Sequence, residues 1–231
     1  MQNVSDLYKS IVSGDYWTEV AVIVDGETYG EDKLISMETS GALFSGTPSV
    51  GGCVAGTITI EMLKPSTEFS RMAKIVPMVR VCNASEQSEW LRKGVFYIDT
   101  RQENQQEYGD NTITITGYDA IMLLEAEYGS SGMDWPATDI RVVREICGWL
   151  GVNLDTRAAS IITSAYPINY PSGFTYRETL GYIGAMYGGT WVMSDAGELN
   201  LVRMSDIPPE TRYLIDRSGS PITFGGVRII V

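Results

Sequence analysis

Regular alternation of apolar and polar residues is the feature that most restricts the fold of this 231-residue chain. In Thr57–Met62, Ile58, Ile60 and Met62 fall on one face of a strand and the polar residues on the other. The spacing of this strand and its neighbours predicts an antiparallel β-barrel or sandwich. The other predicted strands are Trp17–Val24, Leu34–Thr39, Ile75–Cys82, Gly94–Thr100 and Thr112–Thr116.

Turn and helix signals separate these strands. Ser5 is placed to cap a short helix that ends at Val12, and Asp25-Gly26 is typical of a two-residue hairpin turn. The polar segment Arg101–Asn111 predicts a second hairpin connection. Gly117 is expected to end the strand pattern before a helix at Tyr118–Glu127. The segment Gly41–Gly52 predicts a long irregular loop.

The glycine- and serine-rich segment Gly129–Gly132 predicts a linker. We therefore expect two domains, a β-barrel-like domain at residues 1–128 and a smaller α/β domain at residues 133–231, so that the class is β-rich α+β. Helices are predicted at Asp139–Leu150 and from Thr175, where Thr175 and Glu178 fit a capping box. A hairpin follows at residues 190–203. The strand Val227–Val231 either closes the second sheet or continues into a longer protein.

Composition argues against most catalytic sites. The chain has no histidine, which excludes Ser-His-Asp and Cys-His catalysis and histidine-ligated zinc. Cys53, Cys82 and Cys147 are far apart in sequence, and three cysteines predict free apolar side chains rather than a disulfide framework. No signal peptide or membrane anchor is expected. The net charge of −12 is opposite to that of a general nucleic-acid binder.

The remaining candidates for chemistry are weak. Glu125 and Glu127 are two residues apart and would not face each other on a helix. Asp99 and Asp119 flank one strand and could meet, as a glycosidase would require. No calcium-loop spacing, nucleophile elbow or phosphate loop occurs. We predict no catalytic residue, no metal site and no cofactor, and we expect that the protein is not an enzyme.

Several segments, in the right order, resemble the hub proteins of bacteriophage tails. These are proteins of the tail tip or baseplate, between the tail tube and the distal parts. In that family a strand and a polar hairpin lead into a helix with a TGYDA-like start, and the second domain has a helix followed by a hairpin. The matching segments are Val50–Leu63, Gly94–Thr100, Thr112–Leu124, Tyr176–Trp191 and Asp195–Leu199.

The resemblance implies barrel-like domains related to those of tail-tube proteins and a homotrimer that mimics a sixfold ring. It also implies contacts with a distal tail or tail-tube protein, a tape-measure protein and spike or fibre proteins. The protein would then act in the virion tail after assembly in the bacterial cytoplasm. DNA would pass through the hub without specific binding, and part of the negative charge would line that channel.

Two loops are the predicted contact surfaces, because loops carry contacts that the core does not need. One is Gly41–Gly52 and the other is the hairpin tip Glu103–Asp110. An alternative function is a carbohydrate-binding or adhesin-type β module, which the 13 tyrosines and five tryptophans favour. A cell-wall hydrolase is a further alternative that rests on the scattered carboxylates. The predicted interface residues are Phe44, Val50, Glu103, Glu107, Tyr108 and Asp110.

Overall fold

The alternating segments pair into one antiparallel sheet of eight strands. The structure, a computed structural model, describes residues 4–44, 46–47, 49–105, 111–203, 223–224 and 227–228. The strands pair in the order β2-β1-β5-β7-β8-β4-β3, with β6 beside β5. Their bounds are β1 Trp17–Val24, β2 Glu27–Tyr29, β3 Leu34–Ser40, β4 Thr57–Leu63, β5 Lys74–Cys82, β6 Leu91–Arg92, β7 Phe96–Asn104 and β8 Thr112–Tyr118.

The sheet curves over a single apolar core but does not close. Tyr29 from β2 and Leu34 and Met37 from β3 pack with the same cluster as Ile60 and Ile115 from the middle of the sheet. The β-rich α+β class is thus confirmed, whereas closure into a barrel is wrong. β2 has three residues, which is too short an edge to pair along the seven residues of β3.

The N-terminal helix forms as its cap predicts. Helix α1 is Asp6–Val12, and the Ser5 side chain accepts a hydrogen bond from the Tyr8 amide at 3.0 Å. Ile11 is its buried residue. The Ser5 amide and hydroxyl also donate to the Glu89 carboxylate, at 2.7 and 2.6 Å, which ties the helix start to the loop before β6.

Gly117 continues β8 instead of ending it. It pairs with Ile58 on one side and Ile98 on the other. A Cβ atom at this position would lie 2.6 Å from the Tyr97 carbonyl oxygen, so glycine permits a close backbone approach inside the sheet. The predicted helix at 118–127 is correspondingly a shorter 3₁₀ helix, Ala120–Glu125.

The described elements between residues 120 and 203 form a second apolar core. Helix α2 is Asp139–Leu150, as predicted, and ends at Gly151, which has φ 69°. Helix α4 is Tyr176–Met186 and begins with the predicted capping box. Trp191 lies fully buried in this core, and its indole N–H donates to the Leu180 carbonyl at 2.6 Å. The other elements are α3 Thr156–Ile161, β9 Ala137–Thr138, β10 Pro167–Ile168, β11 Gly189–Met193 and β12 Leu199–Arg203.

The second core begins before the predicted linker. Ile121 and Leu124 of the 3₁₀ helix and Tyr128 are buried in it together with Val143 and Leu180. The predicted division at residues 129–132 stays a prediction. Near the C-terminus, β13 Thr223–Phe224 pairs with β14 Val227–Arg228, and the rest of the predicted final strand lies outside the described residues. Among the described helices, none has the length and apolar character that crossing a membrane requires.

Candidate assembly surface

The connection between β3 and β4 is hydrogen-bonded to the second core. We call its second half, residues 49–56, the strap. The Gly51 amide donates to the Gly189 carbonyl at 2.7 Å, and the Trp191 amide donates to the Gly52 carbonyl at 2.8 Å. Cys53 forms a parallel bridge with Trp191. The strap thereby extends the β11–β12 hairpin by one strand and joins the two cores.

Two glycines allow the strap to lie directly on α4. Gly51 has φ 76°, and a Cβ atom there would lie 2.5 Å from the Gly181 carbonyl oxygen and 3.2 Å from the Ala185 Cβ. A Cβ atom on Gly181 would in turn lie 2.9 Å from the Gly51 carbonyl oxygen. The backbones of strap and helix touch because neither residue has a side chain.

Arg177 of α4 holds three segments together. Its guanidinium donates to the Glu125 carboxylate at 2.6 Å, to the Ile121 carbonyl at 3.1 Å and to the Cys53 carbonyl. The Arg177 side chain is largely buried whereas that of Glu125 is mostly exposed, so the two carbonyls depend on the arginine more than the carboxylate does. The fork geometry of a guanidinium suits this simultaneous contact. No sequence motif marks this role.

Asp119 fixes the other end of the strap. One carboxylate oxygen accepts from the Gly56 amide at 2.7 Å and the other from the Ile121 amide at 2.9 Å. Burial raises the pKa of this carboxyl to about 6, against the lowering effect of the two amides and of Arg177. Both oxygens therefore cap backbone groups. This argues for a structural role rather than the acid–base role considered for Asp99 and Asp119.

Asp119 also lines a cleft of about 370 Å³ between the strap and the β11–β12 turn. Asp195 is the other carboxylate of this cleft, and Lys93 lies on its wall. Asp99 is exposed on β7, at the register shift between Ile98 and Thr100. Within the described residues, no group of three Cys, Asp or Glu side chains is placed to hold a metal ion.

The structure separates the two predicted contact loops. Val50 is 46% exposed on the strap, and half-buried Phe44 lines a groove of about 510 Å³ together with Glu125 and Glu178. Glu103 lies on β7 and forms an ion pair with Lys64 at 2.7 Å. Gly56 and Lys64 stand at opposite ends of β4, about 25 Å apart. Glu107, Tyr108 and Asp110 lie outside the described residues.

The sequence analysis missed the outer face of α4. Tyr182 and Met186 are 61% and 44% exposed, and Phe174, 41% exposed, places its ring edge-on to Tyr182 with centroids 5.6 Å apart. Leu180 and Ile183 lie on the buried side of this helix. Tyr182 and Met186 are four residues apart and lie on another side of the helix. This spacing is the signal in the sequence from which the exposed apolar side of α4 could have been predicted.

No protein-family model matches the chain, and no curated protein sequence matches it. Solved structures do share its fold. The 43 kDa tail protein of prophage MuSo2 from Shewanella oneidensis superposes with a TM-score of 0.53 at 18% identity, over 82% of this chain and 56% of that one. The tail protein from Neisseria meningitidis MC58 gives a TM-score of 0.52 at 13% identity, over 89% of this chain and 53% of that one.

The chain thus spans little more than half the length of each of these tail proteins. At sequence identities this low, the comparison shows a shared fold and nothing more. More than four-fifths of the chain is covered in each case. The chain therefore has the fold of these two tail proteins, and the resemblance to phage tail proteins that its motifs indicated is confirmed at that level.

Proposed function

We propose that this protein is a non-enzymatic structural component of a phage or prophage tail, located in the tail tip or baseplate hub. The observation that carries the proposal is the fold shared with two tail proteins, one of them from a prophage, over more than four-fifths of the chain. The ordered set of hub-like sequence segments supports the same role independently of the superposition.

The way in which the two cores are joined suits a component that transmits force. The strap contributes backbone hydrogen bonds to β11, while Arg177 and Asp119 fix its two sides. Buried contacts of this kind resist relative movement of the two cores better than exposed ion pairs would. A tail component that transmits force between tube and distal parts requires such a connection.

In this proposal the protein assembles as a homotrimer. It contacts a distal tail or tail-tube protein, a tape-measure protein and spike or fibre proteins. Part of the −12 charge lines a channel through which DNA slides, because an acidic wall repels phosphate. The site of action is the virion tail, after assembly in the host cytoplasm.

Light scattering across a concentration series tests the proposal. We expect a species of three times the 25.4 kDa chain mass. A monomer at every concentration would contradict the hub assignment. Lysines or arginines found along the inner wall of the trimer would contradict the DNA channel while leaving the structural role in place.

The alternative of a glycan-binding module is favoured by one observation. Trp149, Tyr166 and Tyr170 are each at least 40% exposed, and Tyr170 and Trp135 form an edge-on pair with centroids 5.4 Å apart. Exposed aromatic rings stack on sugars. Binding of the monomer to a glycan array, lost on Tyr170→Ala and retained on Tyr182→Ala, would favour this alternative over the tail role.

A further inference from the structure

The cleft beside the strap has a buried carboxylate and a buried aromatic ring at one end. Asp119 and Phe96 both line this cleft of about 370 Å³, and they are only 5% and 6% exposed. A Cβ atom on Gly56 would lie 3.0 Å from Asp119 Oδ2, 3.5 Å from the Ser40 carbonyl oxygen and 3.6 Å from a ring carbon of Phe96. Because glycine has no side chain, two oxygens and an aromatic ring face the same space.

The Asp119 carboxylate has acceptor capacity that the protein does not use. Its two oxygens offer about four lone-pair sites, and the amides of Gly56 and Ile121 use two of them. Among the ion pairs of the described residues, none includes Asp119. Arg177 gives its guanidinium to Glu125 and to two carbonyls instead. A cation in the cleft would therefore meet a buried carboxylate that no side-chain cation contacts.

Asn200 adds a second buried acceptor on this side of the β11–β12 hairpin. It pairs across the hairpin with Val192, which lines the cleft, while its chain neighbours Leu199 and Leu201 lie in the second core. The alternation of a strand thus places Asn200 on the cleft side. Asn200 is 6% exposed, and its Oδ1 atom has no hydrogen-bond partner in the part of the chain that the structure describes. The surroundings of the cleft offer acceptors to a ligand that donates hydrogen bonds.

We propose that this cleft binds a primary alkylammonium group, which forms the end of a lysine side chain and of a free alkyl amine. An ammonium group donates three hydrogen bonds and accepts none, so it is complementary to the Asp119 carboxylate and the Ser40 carbonyl. The Phe96 ring attracts a cation that lies over its face. An alkyl stem can pack on the apolar walls, which include Leu43, Val54 and Val192. The inference does not depend on the proposed structural role.

Methionine methyl NMR with a small amine tests the site. Met193 lines the cleft, and Met186, exposed on α4 outside the cleft, is the reference. Butylammonium chloride, added at constant ionic strength and pH 7.5, should shift the Met193 methyl signal with a Kd of about 1–10 mM and leave Met186 unchanged. Butan-1-ol is the neutral probe and should bind at least about tenfold more weakly. Equal binding of the alcohol, or no response of Met193, would overturn the site.

Substitutions at the closed end of the cleft should weaken binding. Gly56→Ala fills the space beside the carboxylate, and Asp119→Asn removes its charge, so each should weaken butylammonium binding at least about tenfold. Lys93→Met removes a cation from the cleft wall and should strengthen binding. Asp134→Asn is the matched control, because Asp134 is an exposed carboxylate outside the cleft. Circular dichroism confirms that each variant is folded. Equal loss of binding in the control would overturn the assignment to Asp119.

A pH series on the unaltered protein gives the same test without a substitution. The charged groups around Asp119 are Arg177 from α4 and, on the cleft walls, Lys93 and Asp195. Burial raises the pKa of Asp119 to about 6, so butylammonium binding should weaken about tenfold between pH 7.5 and pH 5. Ordinary exposed carboxylates stay ionised over this range. A constant affinity from pH 7.5 to pH 5 would overturn the site.

A blocked lysine distinguishes the two sources of the ammonium group. Nα-acetyl-lysine methylamide that binds as tightly as butylammonium would support a lysine of a neighbouring protein as the ligand. Binding of butylammonium alone would support a free amine, since the main chain of a lysine would then not fit at the mouth of the cleft. Failure of both probes overturns the site and leaves the proposed tail role in place, because that role is tested by the mass of the assembly.

Discussion

Gly51 and Gly181 meet backbone to backbone. A Cβ atom on Gly51 would lie 2.5 Å from the Gly181 carbonyl oxygen, and one on Gly181 would lie 2.9 Å from the Gly51 carbonyl oxygen. Real Cβ atoms do not approach backbone oxygens so closely, and neither partner is a flexible side chain that could move aside. The contact lies where the loop between β3 and β4 crosses α4, so it controls the spacing between the strap and the helix.

Alanine substitution in two helices should therefore have opposite effects on stability. Gly148 is exposed in α2 and has open space around its Cβ position, so Gly148→Ala should raise the free energy of unfolding by about 0.5–1 kcal/mol. Gly181→Ala gains the same helix propensity but forces the strap away, and should lower that free energy by about 1–3 kcal/mol. Urea unfolding measures both. A stabilised Gly181→Ala variant would show that the strap does not pack on α4.

Removal of the Arg177 guanidinium should be strongly destabilising. Arg177→Met keeps much of the apolar stem but leaves the Cys53 and Ile121 carbonyls without this donor, at a cost of about 2–4 kcal/mol in the free energy of unfolding. Lys9→Met is the control, because the Lys9–Asp6 ion pair is exposed and should be worth less than about 0.5 kcal/mol. Equal effects of the two substitutions in urea unfolding would contradict the bridging role of Arg177.

The strands and the two longest helices were predictable because their signals are local. Alternation in Thr57–Met62 and the capping box at Thr175 each depend on residues within one segment. The path of the strap could not be predicted, because Gly51 and Gly181 are 130 residues apart in the sequence. A glycine in a flexible loop also cannot be told from a glycine at a close backbone contact by sequence alone. The role of Arg177 was missed for a related reason. Two of its partners are backbone carbonyls, and because every residue has one, the sequence does not single out these two.

The cysteine thiols should resist alkylation in the folded protein. Cys53, Cys82 and Cys147 are free and buried, and burial raises the pKa of Cys53 and of Cys147 to about 12, so almost no thiolate is present near pH 8. Iodoacetamide labelling followed by mass spectrometry should find these thiols unmodified in buffer and modified in urea. Ser172→Cys, at an exposed position, is the control and should be modified in the native sample as fast as it is in urea. Rapid native labelling of Cys53 would show that the strap opens.

Asp119 should make stability depend on pH in a direction opposite to that of most carboxylates. Its pKa is about 6 in the folded protein and 3.8 ordinarily, so the folded state binds a proton more readily than the unfolded chain does. The stabilisation from this proton is complete below pH 3.8 and is lost as the pH rises through 6. Relative to Asp119→Asn, which cannot titrate, the wild-type protein should gain about 1 kcal/mol between pH 7.5 and pH 5.

The comparison with Asp119→Asn is necessary because other groups act in the reverse direction. Hydrogen bonds from Arg157 lower the pKa of Asp155, and those from Arg80 lower the pKa of Glu19, so both carboxylates stabilise the fold at neutral pH and lose that effect in acid. They are present in both proteins and cancel in the difference between the two urea unfolding curves. Parallel pH dependence of the wild-type protein and Asp119→Asn would show that Asp119 keeps an ordinary pKa, and with it that the junction between the strap and the 3₁₀ helix is open to water.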